Sequence, residues 1–231
     1  MNSKHIKEFS RHAYHYGEYT IVQKEVARYL VQGVHSHPRS IVDLGCGCGE
    51  IYRNITWEMD AFIGVDSSQE MISLHPTCKE VSIINTDFES LHVRQKLQPF
   101  YDLMISSSAL QWSKDIEKMI EWISLTCKEG AFAIFTDKTF ETIYALSGLA
   151  TFLPNAQKLT TLFEKYFTCK HEIKSFKLPF PDNISKFRYI KYSGVSGGEK
   201  KLSVAQTRAL IQNYPHTYLE FEVLFVWGVP K

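Results

Sequence analysis

Through residues 40–136, short apolar runs alternate with stretches whose apolar positions recur every third or fourth residue. Runs of four to six apolar residues read as buried strands and the longer-period stretches as helices, so the order is that of βαβ units on a parallel sheet. Strands are predicted at 40–44, 61–65, 81–85, 103–106 and 131–136. Beyond residue 138 the pattern changes to a helical stretch over 140–166 and an alternating run over 169–180. A helix over 184–192, a glycine-rich segment at 193–198, a helix over 204–213 and a last alternating strand at 218–226 follow. Five βα units ending in a strand, a helical insertion and a final strand predict an α/β fold, with a Rossmann-like seven-stranded mixed sheet closed by an antiparallel strand. With no internal repeat or low-complexity tract, residues 1–231 are read as one domain. Ahead of the first strand, Ile6, Phe9, Ala13 and Tyr16 recur at helical spacing within residues 4–28. That helix either packs on the core or, as a lid over 1–30, folds across the carboxyl edge of the sheet.

The first strand ends in Ile41-Val42-Asp43-Leu44-Gly45-Cys46-Gly47-Cys48-Gly49-Glu50. Alternating glycines let the backbone turn sharply and approach a ligand more closely than any Cβ would allow. A dinucleotide fingerprint needs G-x-G-x-x-G, but the third glycine here comes one residue early, and Asp43 is a poor neighbour for a pyrophosphate. An acid there suits an ammonium group. The chemistry points to S-adenosylmethionine, with Gly45, Cys46, Gly47 and Gly49 as its cradle. Asp66, ending the second strand beside Ser67, can accept both ribose hydroxyls; its other reading is a helix N-cap. Asp87 after the third strand can accept the adenine amine with Phe88 packing nearby, or is a solvated loop acid. The fourth strand ends in Ser106-Ser107-Ser108-Ala109-Leu110-Gln111-Trp112. Ser106 is placed at the cofactor, and Gln111 and Trp112 are placed where they shape an acceptor pocket, although Trp112 also suits a core position.

Composition narrows the partners. An apolar content of 44% supports a sizeable core. The net charge of +1 conceals a basic stretch over 165–201, with nine Lys or Arg against three Asp or Glu, so an acidic partner has a preferred face. The overall balance is not that of a nucleic-acid binder. No run of about 18 apolar residues suggests a membrane span. Five scattered cysteines, an odd number, read as reduced, cytoplasmic usage. Cys46 and Cys48 form C-x-C with no completing set, so no metal is expected.

Three blocks carry a family resemblance: Phe9-x-Arg11-x-Ala13-x-His15-Tyr16 with Gln23 beyond it, Ala109-Leu110-Gln111-Trp112, and Arg188-x-x-Lys191-x-x-Gly194 followed by Tyr214-Pro215-x-Thr217-Tyr218. With the glycine loop, they make the chain resemble class I S-adenosylmethionine-dependent methyltransferases, and more narrowly the malonyl-acyl-carrier-protein O-methyltransferases of biotin synthesis. The resemblance implies methyl transfer to the free carboxylate of a malonyl thioester on acyl carrier protein or coenzyme A. It places Arg11 and Gln23 at the cofactor, Tyr16 at the acceptor, and Arg188 and Lys191 at the malonyl carboxylate or a pantetheine phosphate. Residues 138–215 become the acceptor side. Cys48 departs from the usual Thr or Ser, and His12 and Tyr14 intrude on the small residues of the N-terminal helix. Two other readings share the cofactor site: a methyltransferase for another small carboxylate or a quinone-type precursor, and an inactive binding module. A carboxylate acceptor arrives ionised and needs no general base. The oligomeric state is not legible.

Overall fold

The computed structural model describes residues 19–97, 100–192 and 202–231. Arg11, Tyr16 and most of the predicted lid lie outside them, as does the glycine-rich segment at 193–198. The first described helix, α1 (Ile21–Gln32), buries Val22, Val26, Leu30 and Val31 along one face. β1 (Ser40–Leu44), α2 (Glu50–Asn54), β2 (Ala61–Asp66), α3 (Gln69–Ile72), β3 (Val81–Asn85), α4 (Leu91–Lys96) and β4 (Tyr101–Ser107) follow. After a 3-10 turn at Leu110–Trp112 come α5 (Ile116–Ser124), β5 (Cys127–Phe135), α6 (Glu141–Ser147), α7 (Ala156–Tyr166) and β6 (Phe167–Pro179). The last elements are α8 (Asn183–Tyr192), α9 (Val204–Asn213) and β7 (Tyr218–Pro230).

The seven strands lie in the order β3-β2-β1-β4-β5-β7-β6. β1 to β5 pair in parallel, while β7 runs antiparallel between β5 and β6. All parallel strands therefore end at one edge, and β6 ends there too because both it and β5 oppose β7. The helical insertion between β6 and β7 is thereby delivered to the same edge. Alternate strand residues feed two cores: Ile41, Phe62, Leu103 and Phe225 face α1 on one side, whereas Val42, Val65, Met104 and Leu224 meet α5 and α7 on the other. Burial on both faces is why the strands read as continuous apolar runs.

The helix predicted over 140–166 is two helices. Gly148 ends α6 in the left-handed conformation (φ 67°), and Pro154 precedes Asn155, whose side chain caps α7 by accepting from the Lys158 N–H at 3.2 Å. Helical propensity on both sides masked that punctuation.

Gly33, at the end of α1, lies under the indole of Trp227, which donates from Nε1 to Leu30 O at 3.0 Å. A Cβ on Gly33 would sit 2.3 Å from the ring. Gly33→Ala is expected to displace Trp227 and destabilise the protein by about 1–3 kcal/mol, measured by denaturant titration. An unshifted unfolding midpoint would show that the ring yields without loss.

Candidate functional site

The cleft lies at the carboxyl edge, where β1 sits between β2 and β4 and the loops that follow them separate. Gly45 turns with φ 82°, and its N–H donates to Val65 O at 2.8 Å. A Cβ there would lie 2.3 Å from that of Ala109, so the glycine lets the loop rest against the β4 loop. Asp66 pins the next turn. Its carboxylate accepts from the Gly47 N–H at 2.9 Å and from the Ser68 N–H at 2.8 Å. Burial raises the Asp66 pKa, and the N–H donors of Ser68, Gly47 and Ser67 oppose that rise. The helix cap that Asp66 offered in sequence falls to Ser68, whose hydroxyl accepts from the Met71 N–H.

Asp43 is 1% exposed, and neither carboxylate oxygen has a hydrogen-bond partner among the described residues. Burial, with Asp66's charge added to it, pushes its pKa well above the usual carboxylate range. Such an orphaned acid is costly unless a cation completes it. It borders an open cleft whose wall carries the carboxyls of Asp43, Glu50 and Asp66, with no Lys, Arg or His among its described residues. The acidic lining suits a positively charged molecule. S-adenosylmethionine, with an ammonium group and a sulfonium, fits: Asp43 faces a cation and Asp66 keeps acceptor capacity for hydroxyls.

The structure gathers Gln23, Gly45, Cys46, Gly47, Ser67, Phe88 and Trp112 around this cleft along with the two acids. Gln23 enters from α1 and accepts from the Tyr189 hydroxyl of α8 at 3.5 Å. Cys46 is buried with its thiol pKa raised by burial, so it is a neutral wall group. Trp112 stacks on Phe152 with centroids 4.9 Å apart. Gly49 adopts φ 89° at the start of α2, off the wall. Asp87 also stands off it, accepting from the Glu89 N–H at 3.0 Å. Ser106 is fully buried, and its hydroxyl donates to Leu44 O at 2.7 Å, tying β4 to β1. Gln111 stands behind the wall, donating from Nε2 to Ser108 O at 2.7 Å. Arg188 and Lys191 are exposed on α8, outside the cleft. Sequence reading passed over Ser107, Ser108, Glu50 and Met71 on the wall. The run of three serines at a strand end was the available signal.

Within the described residues, several lysines of the basic segment are engaged by the fold. Lys165 pairs with Glu117 at 2.6 Å, and Lys174 lies 3.7 Å over the ring of Tyr29. Lys186 is buried, donating to Asn183 Oδ1 at 2.7 Å and to His216 O. A lysine whose amine serves the fold this way is unavailable to an acidic partner.

Because the folded pKa of Asp43 is raised, its contribution to stability is fully present below its unfolded pKa of about 3.9 and is lost as pH rises through the folded value. Asp43→Asn is therefore expected to stabilise the ligand-free protein increasingly as pH climbs above about 4. The same change should weaken S-adenosylmethionine binding tenfold or more, since a charged hydrogen bond is worth about 1.5–3 kcal/mol. Thermal unfolding across pH and equilibrium titration measure the two effects. Unchanged affinity would remove Asp43 from the cofactor's amine.

A family described as a methyltransferase domain matches residues 41–130, the stretch that supplies the glycine loop, Asp66 and the β4 loop. The malonyl-[acyl-carrier protein] O-methyltransferase of Bacillus cytotoxicus is 25% identical over 172 residues, 70% of this chain and 60% of that protein's length. The protein of the same name from Porphyromonas gingivalis is 24% identical, covering 93% of this chain and 86% of its own. Among solved structures, a S-adenosylmethionine-dependent methyltransferase from Thermotoga maritima superposes with a TM-score of 0.60 at 15% identity, covering 98% of this chain and all of the other. With the predicted seven-stranded sheet in place, the chain has the fold of the class I S-adenosylmethionine-dependent methyltransferases, and the segment that builds its acidic cleft matches a methyltransferase domain.

Proposed function

We propose that this protein transfers a methyl group from S-adenosylmethionine to the free carboxylate of a malonyl thioester, carried by an acyl carrier protein. The observation that carries this reading is the acidic cleft built by the segment that matches a methyltransferase domain, with the buried Asp43 carboxylate, unpartnered among the described residues, set for a cationic cofactor. A carboxylate acceptor, with a pKa of about 4, arrives already deprotonated at neutral pH and asks no proton transfer of these side chains. The names of the relatives supply the malonyl group and its carrier.

Bound S-adenosylmethionine supplies an electrophilic methyl on a positive sulfur. The chain's residues have positional tasks. Asp43 holds a cation, Asp66 fixes the glycine loop and keeps lone pairs for hydroxyls, and Phe88 and Trp112 present apolar surface. Attack by an anion on a cationic centre neutralises charge, so walls that exclude water favour it, and alignment supplies much of the remaining acceleration. Esterification in turn masks the distal charge of the malonyl group.

For the carrier, α8 offers exposed cations on a helix that touches the cleft wall. Tyr189 of that helix reaches Gln23 on the cleft wall, while Arg188 and Lys191 face solvent. Exposed charges of this kind speed encounter with an acidic partner more than they add affinity. Charge reversal of Arg188 and Lys191 together should lower kcat/KM for malonyl-carrier protein several-fold at low salt. The difference should shrink as salt rises, because screening acts within about 10 Å at 0.1 M. Lys186→Met serves as the contrast, expected to alter stability and not the salt slope. Salt-independent kinetics with silent reversals would leave α8 without a docking role.

The acceptor itself is tested with labelled S-adenosylmethionine and three compounds. Malonyl-carrier protein or malonyl-coenzyme A should give an alkali-labile methyl ester, whereas acetyl thioester, lacking the distal carboxylate, should give none. An alkali-stable methyl on nitrogen, carbon or a phenol would replace the carboxylate reading with that of a different acceptor.

A further inference from the structure

The loop after β4 holds polar atoms that the fold itself leaves unused. Ser107 Oγ, Ser108 Oγ and Gln111 Oε1 are buried and lack a hydrogen-bond partner among the described residues. Buried polar atoms are nearly always satisfied, so three within five residues mark a place whose partner is not among the described residues, as a bound molecule would be. Consecutive residues of an extended strand point to opposite faces. Ser108 breaks that alternation with φ 60°, a conformation uncommon for any residue but glycine, and both serines border the cleft. Two hydrogen bonds hold the turn: the Ser108 N–H donates to Ala133 O at 2.8 Å, and Gln111 Nε2 donates to Ser108 O at 2.7 Å.

The chemistry of the cleft says what these hydroxyls serve. A carboxylate entering among Asp43, Glu50 and Asp66 needs donors, yet a Lys or Arg placed on it would quench the nucleophile and repel a sulfonium. Neutral hydroxyls orient an anion without either penalty. We propose that Ser107 and Ser108 grip the acceptor carboxylate by its non-attacking oxygen, and that Gln111 is a positioning residue that holds Ser108 in its left-handed turn. This rests on the carboxylate reading above. The free oxygen attacks the methyl carbon, the bond from methyl to sulfur breaks with its electron pair going to sulfur, and both serine protons stay where they are.

The test uses Ser107→Ala combined with Ser108→Gly, since glycine accepts φ 60° freely and any loss is then of hydroxyls and not of backbone geometry. S-adenosylmethionine affinity should stay within about twofold, while affinity for malonyl-pantetheine, titrated into protein saturated with S-adenosylhomocysteine, should fall about tenfold or more. Ser107→Thr, which keeps a hydroxyl, should retain most of the acceptor affinity. Gln111→Ala should lower kcat/KM when Ser108 is present and add little when position 108 is glycine; independent, additive losses would remove its positioning role. A parallel fall in S-adenosylmethionine affinity would assign the hydroxyls to the cofactor, and unaltered malonyl-pantetheine affinity would likewise overturn the grip. Wild-type protein that binds malonyl-pantetheine but does not methylate it ends the proposed function and leaves the grip standing. Wild-type protein that does not bind it overturns both.

Discussion

One carboxylate, that of Asp66, sets the shape on which the cleft depends. It lies at the end of β2, yet its two oxygens reach across to the Gly47 N–H of the glycine loop and forward to the Ser68 N–H. The loop after β1 and the turn after β2 are thereby fixed against each other. Sheet pairing alone leaves both loops free at their tips. With them held, Asp43 is enclosed beneath the loop and the cleft keeps its acidic wall.

That enclosure has an energetic consequence. Asp43 is buried and Asp66 half-buried, each has a raised pKa, and the charge of the second adds to the burial of the first. The ligand-free protein carries this strain at its own expense. A ligand with positive charge relieves it, so ligand affinity and folding stability are coupled through the same two side chains. Functional sites commonly hold such locally unfavourable groups, which the rest of the fold must outweigh.

Much of this was legible in the chain. The parallel strands were visible because both faces are covered, so each reads as an unbroken apolar run. The glycine spacing and the acids at 43 and 66 were visible because their side-chain chemistry is specific to strand ends. Other features depend on tertiary partners that local pattern does not encode. Gly148 and Pro154 divide a stretch whose composition is helical throughout. Lys186 looks like any other charge of the basic segment until His216 O appears beside it. Ser106, Ser107 and Ser108 are chemically identical in sequence. Strand alternation turns Ser107 away from Ser106, which bridges strands, and the left-handed turn brings Ser108 to the cleft beside Ser107.

The position of β7 has a bearing on how the chain is assembled as it leaves the ribosome. The last strand to be made lies between β5 and β6, and Trp227 within it reaches back to Leu30, 197 residues earlier. Until β7 emerges, β5 presents an unpaired edge, β6 has no neighbour, and the end of α1 lacks its cover. Such late, long-range pairing is slow and leaves open strand edges exposed to other chains. The half of the sheet that builds the acidic cleft can form early during synthesis, but β5 and β6 wait for β7 to join them.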